Sequence, residues 1–418
     1  MSTRTIAPAA AHVPAQRRIL AVLVFSQVLS GAGLAAGITV GALLAEEMLG
    51  STGPAGVPSA LFTAGSALGS VGIGRLCRRW GRRPGLALGY GAGALGSLGV
   101  VAAAAVGSVP LLFLSLLVYG AGTATNLMAR YAGADLAPPE RRGRAVSTVL
   151  FATTLGAVIG PNLVTVTGNT AHAWGIPRLA GPFLLAVAAF GTAGVVLAVL
   201  LRPDPLRPAR APAQDRPAPD QDGPTAADGG AAPRSVRRRE LVTGTAVMVI
   251  GQLVMIAIMT MTPVHLLAHG HGTQTAGWVI ALHVGAMFLP SPLTGLLVDR
   301  IGRLQVAAAS GVTLSAAGVL AAVAPPHGLP ALAVALVLLG LGWNFGLISG
   351  TALVTDALPP ARRASFQGLV DVGIAIAGAA GGMSSGLVVA LGGFPALALA
   401  GGLLALAVIP VVASAARR

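Results

Sequence analysis

The chain has 418 residues, 54% hydrophobic and 10% charged, with 58 further glycines and a mean hydropathy of +0.79. Soluble domains carry roughly 25% charged residues, so this composition excludes a soluble enzyme, a nucleic-acid binder, a disordered scaffold and a secreted disulfide domain. All 27 basic residues are Arg, and the single cysteine, Cys77, permits neither an intramolecular disulfide nor a CxxC motif.

A membrane-spanning helix needs about 20 mostly apolar residues. Twelve such stretches are predicted, near 19–43, 55–74, 84–106, 110–134, 145–168, 179–201, 241–267, 275–298, 304–324, 329–355, 364–391 and 394–415. The arginines alternate with them. Arg4, Arg17 and Arg18 precede the first span, and five fall between spans two and three. Arg141, Arg142 and Arg144 lie between four and five, eight lie in the central segment, and Arg300, Arg303, Arg362, Arg363, Arg417 and Arg418 follow. Only Arg178 falls on the opposite side and only Arg130 lies within a span. By the positive-inside rule both termini are cytoplasmic. The high isoelectric point thus reflects topology, and no nucleic-acid partner is expected. Residues 202–239 are rich in Pro, Ala, Asp and Arg without apolar periodicity; they read as a flexible cytoplasmic linker between halves at 1–201 and 240–418.

Two separated motifs repeat at one offset. Gly74-Arg-Leu-Cys-Arg-Arg-Trp-Gly-Arg82 aligns with Gly295-Leu-Leu-Val-Asp-Arg-Ile-Gly-Arg303 at a shift of 221. Asp135, Pro138, Pro139, Arg141 and Arg142 align with Asp356, Pro359, Pro360, Arg362 and Arg363 at the same shift. Two equivalent halves related by an axis along the membrane normal follow. The loop at 295–303 resembles the signature loop of the major facilitator superfamily. The resemblance implies an all-α membrane protein with twelve transmembrane helices in two pseudo-symmetric six-helix halves, a transporter and not an enzyme. It also implies a gating role for Asp299 and Arg300, with Arg362 or Arg363 as partner. Arg78 stands where the N-terminal copy should carry the carboxylate.

Intramembrane charges are functional candidates. Arg130 in helix four and Asp371 in helix eleven are candidates for coupling. Asp371 could equally serve as a hydrogen-bond partner of a neighbour such as Asn344. Five of the nine Met and four of the seven His fall within residues 248–287. Met255-x-x-x-Met259 and His283-x-x-x-Met287 each place two soft ligands on one helix face. A turn near 271 sets Met259 level with His283, and Met255 level with Met287, roughly 6 Å deeper. Thioether and imidazole are the ligands that select Cu(I) over hard cations. At the 221 offset these four map to Leu34, Ile38, Phe62 and Ser66, so the fold does not require them. As packing, methionine is an ordinary filler of apolar helices, and a lone histidine is often a helix-bonding group.

The motif pair resembles that of the CcoA-type copper importers, a branch of the same superfamily. By that resemblance Met255, Met259, His283 and Met287 bind the transported copper. His265, His269 and His271 would capture it outside. No cofactor is implied beyond copper as the transported ion. The expected partners are the lipid bilayer and a cytoplasmic copper chaperone, for a monomer in the cell membrane. Cys77 could hand copper onward or be a small loop residue. The competing class is a proton-coupled drug or metabolite exporter: Gly156-Ala-Val-Ile-Gly160-Pro161 resembles, in part, an antiporter motif, and equally forms a small-residue packing face.

Overall fold

The computed structural model describes residues 9–49, 56–206, 234–325 and 328–417, all of its regular structure helical. In chain order the helices are α1 (Ala9–Leu49), α2 (Gly56–Trp80), α3 (Arg82–Val106), α4 (Val109–Ala134), α5 (Arg142–Asn162), α6 (Val164–Ala173) and α7 (Gly181–Leu200). The second half holds α8 (Arg234–Ala268), α9 (Thr273–Phe288), α10 (Ser291–Arg300), α11 (Arg303–Val323), α12 (Leu329–Ala357), α13 (Pro360–Leu406) and α14 (Val408–Ala416). Ten stretches among the described residues are long and apolar enough to cross a membrane. One of them bends at Gly393, whose φ of 77° lies in the left-handed region, and so crosses twice. The predicted span 145–168 is broken at Leu163 into α5 and α6, two residues after Pro161. With these two adjustments the twelve predicted crossings are all present.

The repeat is visible in the packing. A Cβ on Gly120 would meet the carbonyl of Phe62 and the N–H of Ser66; one on Gly340, a single residue off the 221 shift, would meet the carbonyl of His283 and the N–H of Met287. The corners before α3 and α11 turn on Gly81 and Gly302, with φ of 105° and 108°, which explains the glycine in each copy of the motif. Arg130 and Thr351, 221 residues apart, touch each other at 3.0 Å. Equivalent positions can meet only at the pseudo-twofold axis, so this contact marks it.

The halves close on each other at the arginine-rich end. Gly74 of α2 lies against Ala364 and Gly368 of α13, and Gly295 of α10 lies against Gly143 and Ser147 of α5. The second set is the first displaced by the repeat. Gly156 backs onto Val28 and Ala32 of α1, so the small-residue motif of α5 serves close packing within the first half.

The central segment is shorter than expected at both ends. Residues 202–206 are ordered: Asp204 accepts the N–H groups of Arg82 (3.1 Å) and Arg83 (2.8 Å), capping α3, and Leu206 is buried. The helix of the second half begins at Arg234, not 240. The rest of the expected linker, 207–233, lies outside the described residues.

Glycine at the half-to-half contact is required by distance. A Cβ on Gly295 would sit 2.2 Å from Ser147 Oγ, and one on Gly74 would sit 2.9 Å from the Ala364 carbonyl. Gly295→Leu should therefore hold the arginine-rich end open. The measurement is cysteine labelling of a position introduced at that end, in membranes. Labelling no faster than in the parent would refute this account of the closure.

Candidate functional site

Three layers of charge join the halves at the arginine-rich end. In the outermost, Asp299 of α10 accepts the N–H groups of Gly143 (2.8 Å) and Arg144 (3.1 Å) and the Arg144 side-chain Nε–H (3.0 Å). A carboxylate at a helix start meets free N–H groups and the positive end of the helix dipole. Asp299 thus holds α5 across the interface. Its partner is Arg144, not the expected Arg362 or Arg363. Arg300 and Arg362 are exposed. Arg363 is buried, but its Nε–H is donated to the carbonyls of Thr355 and Leu358 within its own half. Arg78, the counterpart of Asp299, is exposed.

The middle layer uses the repeated Asp and Arg. Arg82 pairs with Asp135 at 2.8 Å, and Arg303, its counterpart, pairs with Asp356 at 2.6 Å. Both ion pairs also reach across. Arg82 donates to Gln367 of α13, and Arg142 of α5 donates to Asp356. Arg303 in addition reaches the carbonyl of Pro139. Sequence reasoning used Arg82, Asp135, Arg303 and Asp356 only to establish the repeat. Their recurrence as opposite charges in both copies was the signal that they pair.

The innermost layer is the intramembrane pair. Arg130 donates from Nη2 to Asp371 Oδ1 (2.6 Å) and to the Tyr131 hydroxyl (3.0 Å), and from Nε to Thr351. Tyr131 donates to the same Asp371 oxygen at 3.3 Å. Both charged side chains are essentially inaccessible. Asp371 does not bond Asn344, the partner considered from sequence. Asn344 instead donates to the Met287 carbonyl and to Ser291, and accepts from Thr294.

The Met and His residues lie on the other side of this barrier, towards the histidine-rich end. α8 ends at Ala268 and α9 begins at Thr273, which places the turn where the sequence predicts it. Met259 and His283 are then nine and ten residues from their helix ends, and Met255 and Met287 thirteen and fourteen. The depth match holds. The direct facing of the two helices does not: α9 packs chiefly on α12, and α12 also lies along α8. Met255 and Met287 are buried in one continuous apolar cluster, with Met259 packed against it. His283 is fully buried and bonds through Nδ1 to the Leu336 carbonyl of α12 at 2.8 Å. A carbonyl can only accept, so the proton is on Nδ1 and Nε2 carries a lone pair. That Nε2 is buried without a hydrogen-bond partner among the described residues.

At the histidine-rich end, His265 and His269 lie with ring centroids 4.3 Å apart, and His265 stacks on Phe394 at 4.4 Å. His269 donates from Nδ1 to the His265 carbonyl. Among the described residues no three His, Cys, Asp or Glu side chains converge as a metal cluster, so His271 does not complete a three-histidine site with this pair. Cys77, expected in a loop, is buried within α2 against Gly85.

Deleting one partner of a buried ion pair leaves an uncompensated charge, at a cost of about 3–5 kcal/mol. Arg130→Met should lower the stability of the purified protein by that order, and Arg130→Met with Asp371→Leu should recover most of it. Thermal unfolding in detergent measures both. A double variant as unstable as the single would show that the pair is not the relevant interaction.

Comparison with known proteins agrees with this architecture. The family model described as Major Facilitator Superfamily matches residues 23–288 and 246–417. The chain is 54% identical over 396 residues to the uncharacterized MFS-type transporter YdeG of Bacillus subtilis (strain 168), covering 95% of this chain and 91% of that one. It is 32% identical over 365 residues to the riboflavin transporter RfnT of Brucella anthropi, covering 85% of each. Among solved structures, that of the human organic anion transporter MFSD10 superposes with a TM-score of 0.74 at 16% identity, covering 95% of this chain and 99% of that one. Fold, repeat and relatives agree, and the chain belongs to the Major Facilitator Superfamily.

Proposed function

We propose that this transporter carries copper, as Cu(I), into the cell by alternating access between its two halves. The observation that carries the reading is His283. Metal-binding histidines characteristically donate their other ring N–H to a carbonyl or carboxylate, which fixes the tautomer and orients the lone pair. His283 has that arrangement with Leu336, and its Nε2 has no competing partner among the described residues. Met287 lies one turn away, and Met255 and Met259 share the apolar cluster. Neutral sulfur and nitrogen donors suit a soft monovalent ion, and a bare ion without ligands would be costly in this medium.

In this reading the arginine-rich end is cytoplasmic and both termini lie there. The closed end is then the inner one, and the ion enters from the end bearing His265, His269 and His271. Opening inward separates Asp299 from Arg144 and Arg130 from Asp371. Asp371, freed from its cation, is the group that would take a proton or balance the ion's charge. A soluble copper carrier receives the ion on the inner side.

A second reading is favoured by the relative named a riboflavin transporter: the substrate would be riboflavin or a similar planar heterocycle. One experiment separates them. Uptake of radiolabelled copper and of radiolabelled riboflavin is measured in a host lacking its own importers. Copper accumulation is expected, reduced about tenfold or more in His283→Ala and strongly in Met287→Leu, a change that nearly conserves volume. Riboflavin uptake with no copper uptake would replace the first reading with the second. Normal copper uptake by both variants would reduce the Met and His residues to packing.

A further inference from the structure

Trp343 of α12 has no role in the layers above, and its placement is informative. At the 221 shift Trp343 stands opposite Gly122 of the first half, and Met287 and Phe288 of α9 stand opposite Ser66 and Ala67. The largest side chain in the alphabet thus replaces a small one, where the fold works without it. Trp343 is 7% exposed, whereas Trp80, Trp174 and Trp278 are all well exposed. Its Nε1–H donates to Gln252 Oε1 at 2.8 Å, and its ring meets Phe288 in a T-shaped contact at 5.6 Å, 75° between planes.

Both contacts lead to the methionines. Gln252 lies one turn from Met255 on α8 and Phe288 adjoins Met287 on α9, while Asn344, beside Trp343, bonds the Met287 carbonyl. Trp343 is fourteen residues into α12, the depth at which Met287 stands in α9; on a rise of 1.5 Å per residue that is about 21 Å from the histidine-rich end. Met255, Met287 and Trp343 belong to one buried cluster. The tryptophan therefore joins the two ligand-bearing helices at the deeper level, with its ring oriented by a hydrogen bond.

We infer that Trp343 is a substrate-contact residue, supplying an aromatic wall that selects a soft monovalent cation over a divalent one. The inference rests on the copper reading. An indole ring attracts a nearby cation through its quadrupole, more strongly once water is removed. Its apolar body also excludes the water a divalent ion would need, since removing hydration costs a doubly charged ion far more. Asp371, the intramembrane carboxylate among the described residues of this half, is already paired with Arg130 in this closed arrangement. Gln252 sets the plane of the ring and is a positioning residue.

The test uses the full-length protein in detergent, with Ag⁺ as the monovalent soft probe and Zn²⁺ as the divalent control. Ag⁺ should quench a component of tryptophan emission that Trp343→Phe removes. Trp343→Leu should weaken Ag⁺ binding about tenfold and narrow its preference over Zn²⁺, while Trp343→Phe, which keeps a ring, should weaken it less. Gln252→Leu, which leaves the ring in place, should reduce the quenching without abolishing binding. Thermal unfolding confirms that each variant is folded. Quenching unchanged in Trp343→Phe, or Ag⁺ affinity unchanged in a folded Trp343→Leu, would overturn the inference. If either occurs while His283→Ala still loses Ag⁺, the copper reading stands and only the role of Trp343 falls. If the parent neither binds Ag⁺ nor accumulates copper, and riboflavin quenches Trp343 instead, both fall together.

Discussion

A charge held in the hydrocarbon interior must be neutralised where it sits, because the medium offers no water to do so. Arg130 and Asp371 satisfy that demand only together, and they come from different halves of the molecule. The pair therefore makes closure of the arginine-rich end a condition of its own burial. Its desolvation cost is offset by the hydrogen bonds from Tyr131 and to Thr351. Separation of the halves has to supply new partners for both ions, from water or from substrate. That requirement is what turns a structural ion pair into a conformational constraint.

Around this pair the repeat supplies symmetric parts and then departs from symmetry where the halves must do different things. Arg82–Asp135 and Arg303–Asp356 are equivalent pairs, and the glycines at 74 and 295 are equivalent contacts. Asp299 has Arg78 as its counterpart, so α5 is held at its start by a carboxylate where the repeat offers α13 an arginine. The two seams between the halves are thus of unequal electrostatic strength. The same logic applies to the histidine-rich side, where Met287, Phe288 and Trp343 stand opposite Ser66, Ala67 and Gly122. Packing needs alone do not explain a departure from a repeat whose backbone contacts are otherwise reproduced.

The sequence showed the fold in considerable detail because the bilayer imposes simple rules. Apolar length gave the spans, and the 221 shift gave two halves. Breaks inside spans were less visible: Pro161 and Gly393 resemble the many Pro and Gly residues that membrane helices tolerate. Contacts between distant helices were the least legible. The family resemblance points Asp299 to Arg362 or Arg363, but only the packing of α10 on α5 brings Arg144 to it. Asp371 and Arg130 were both singled out, yet their pairing depends on α4 and α13 meeting near the axis, which spacing along the chain does not encode. Depth in the α8–α9 hairpin was readable from the position of one turn. The direction in which the side chains point was not, because α12 accompanies both helices.

That intervening helix changes the chemistry open to the Met and His residues. Ligands on two adjacent helices alone would form stacked pairs, each with only two donors. With α12 beside both, His283 acquires the Leu336 carbonyl that fixes its tautomer, and Trp343 stands at the depth of the deeper methionines. None of these groups carries a formal charge when His283 is neutral. A site of neutral donors in a low-dielectric medium does little to offset the desolvation of a dipositive ion, and favours a weakly hydrated monovalent one by comparison. The Arg130–Asp371 pair, closer to the arginine-rich end, lies beyond this neutral region. In the copper reading, a cation leaving the methionines in that direction would meet a carboxylate able to exchange Arg130 for it, and the passage of the ion and the separation of the halves would then become one event.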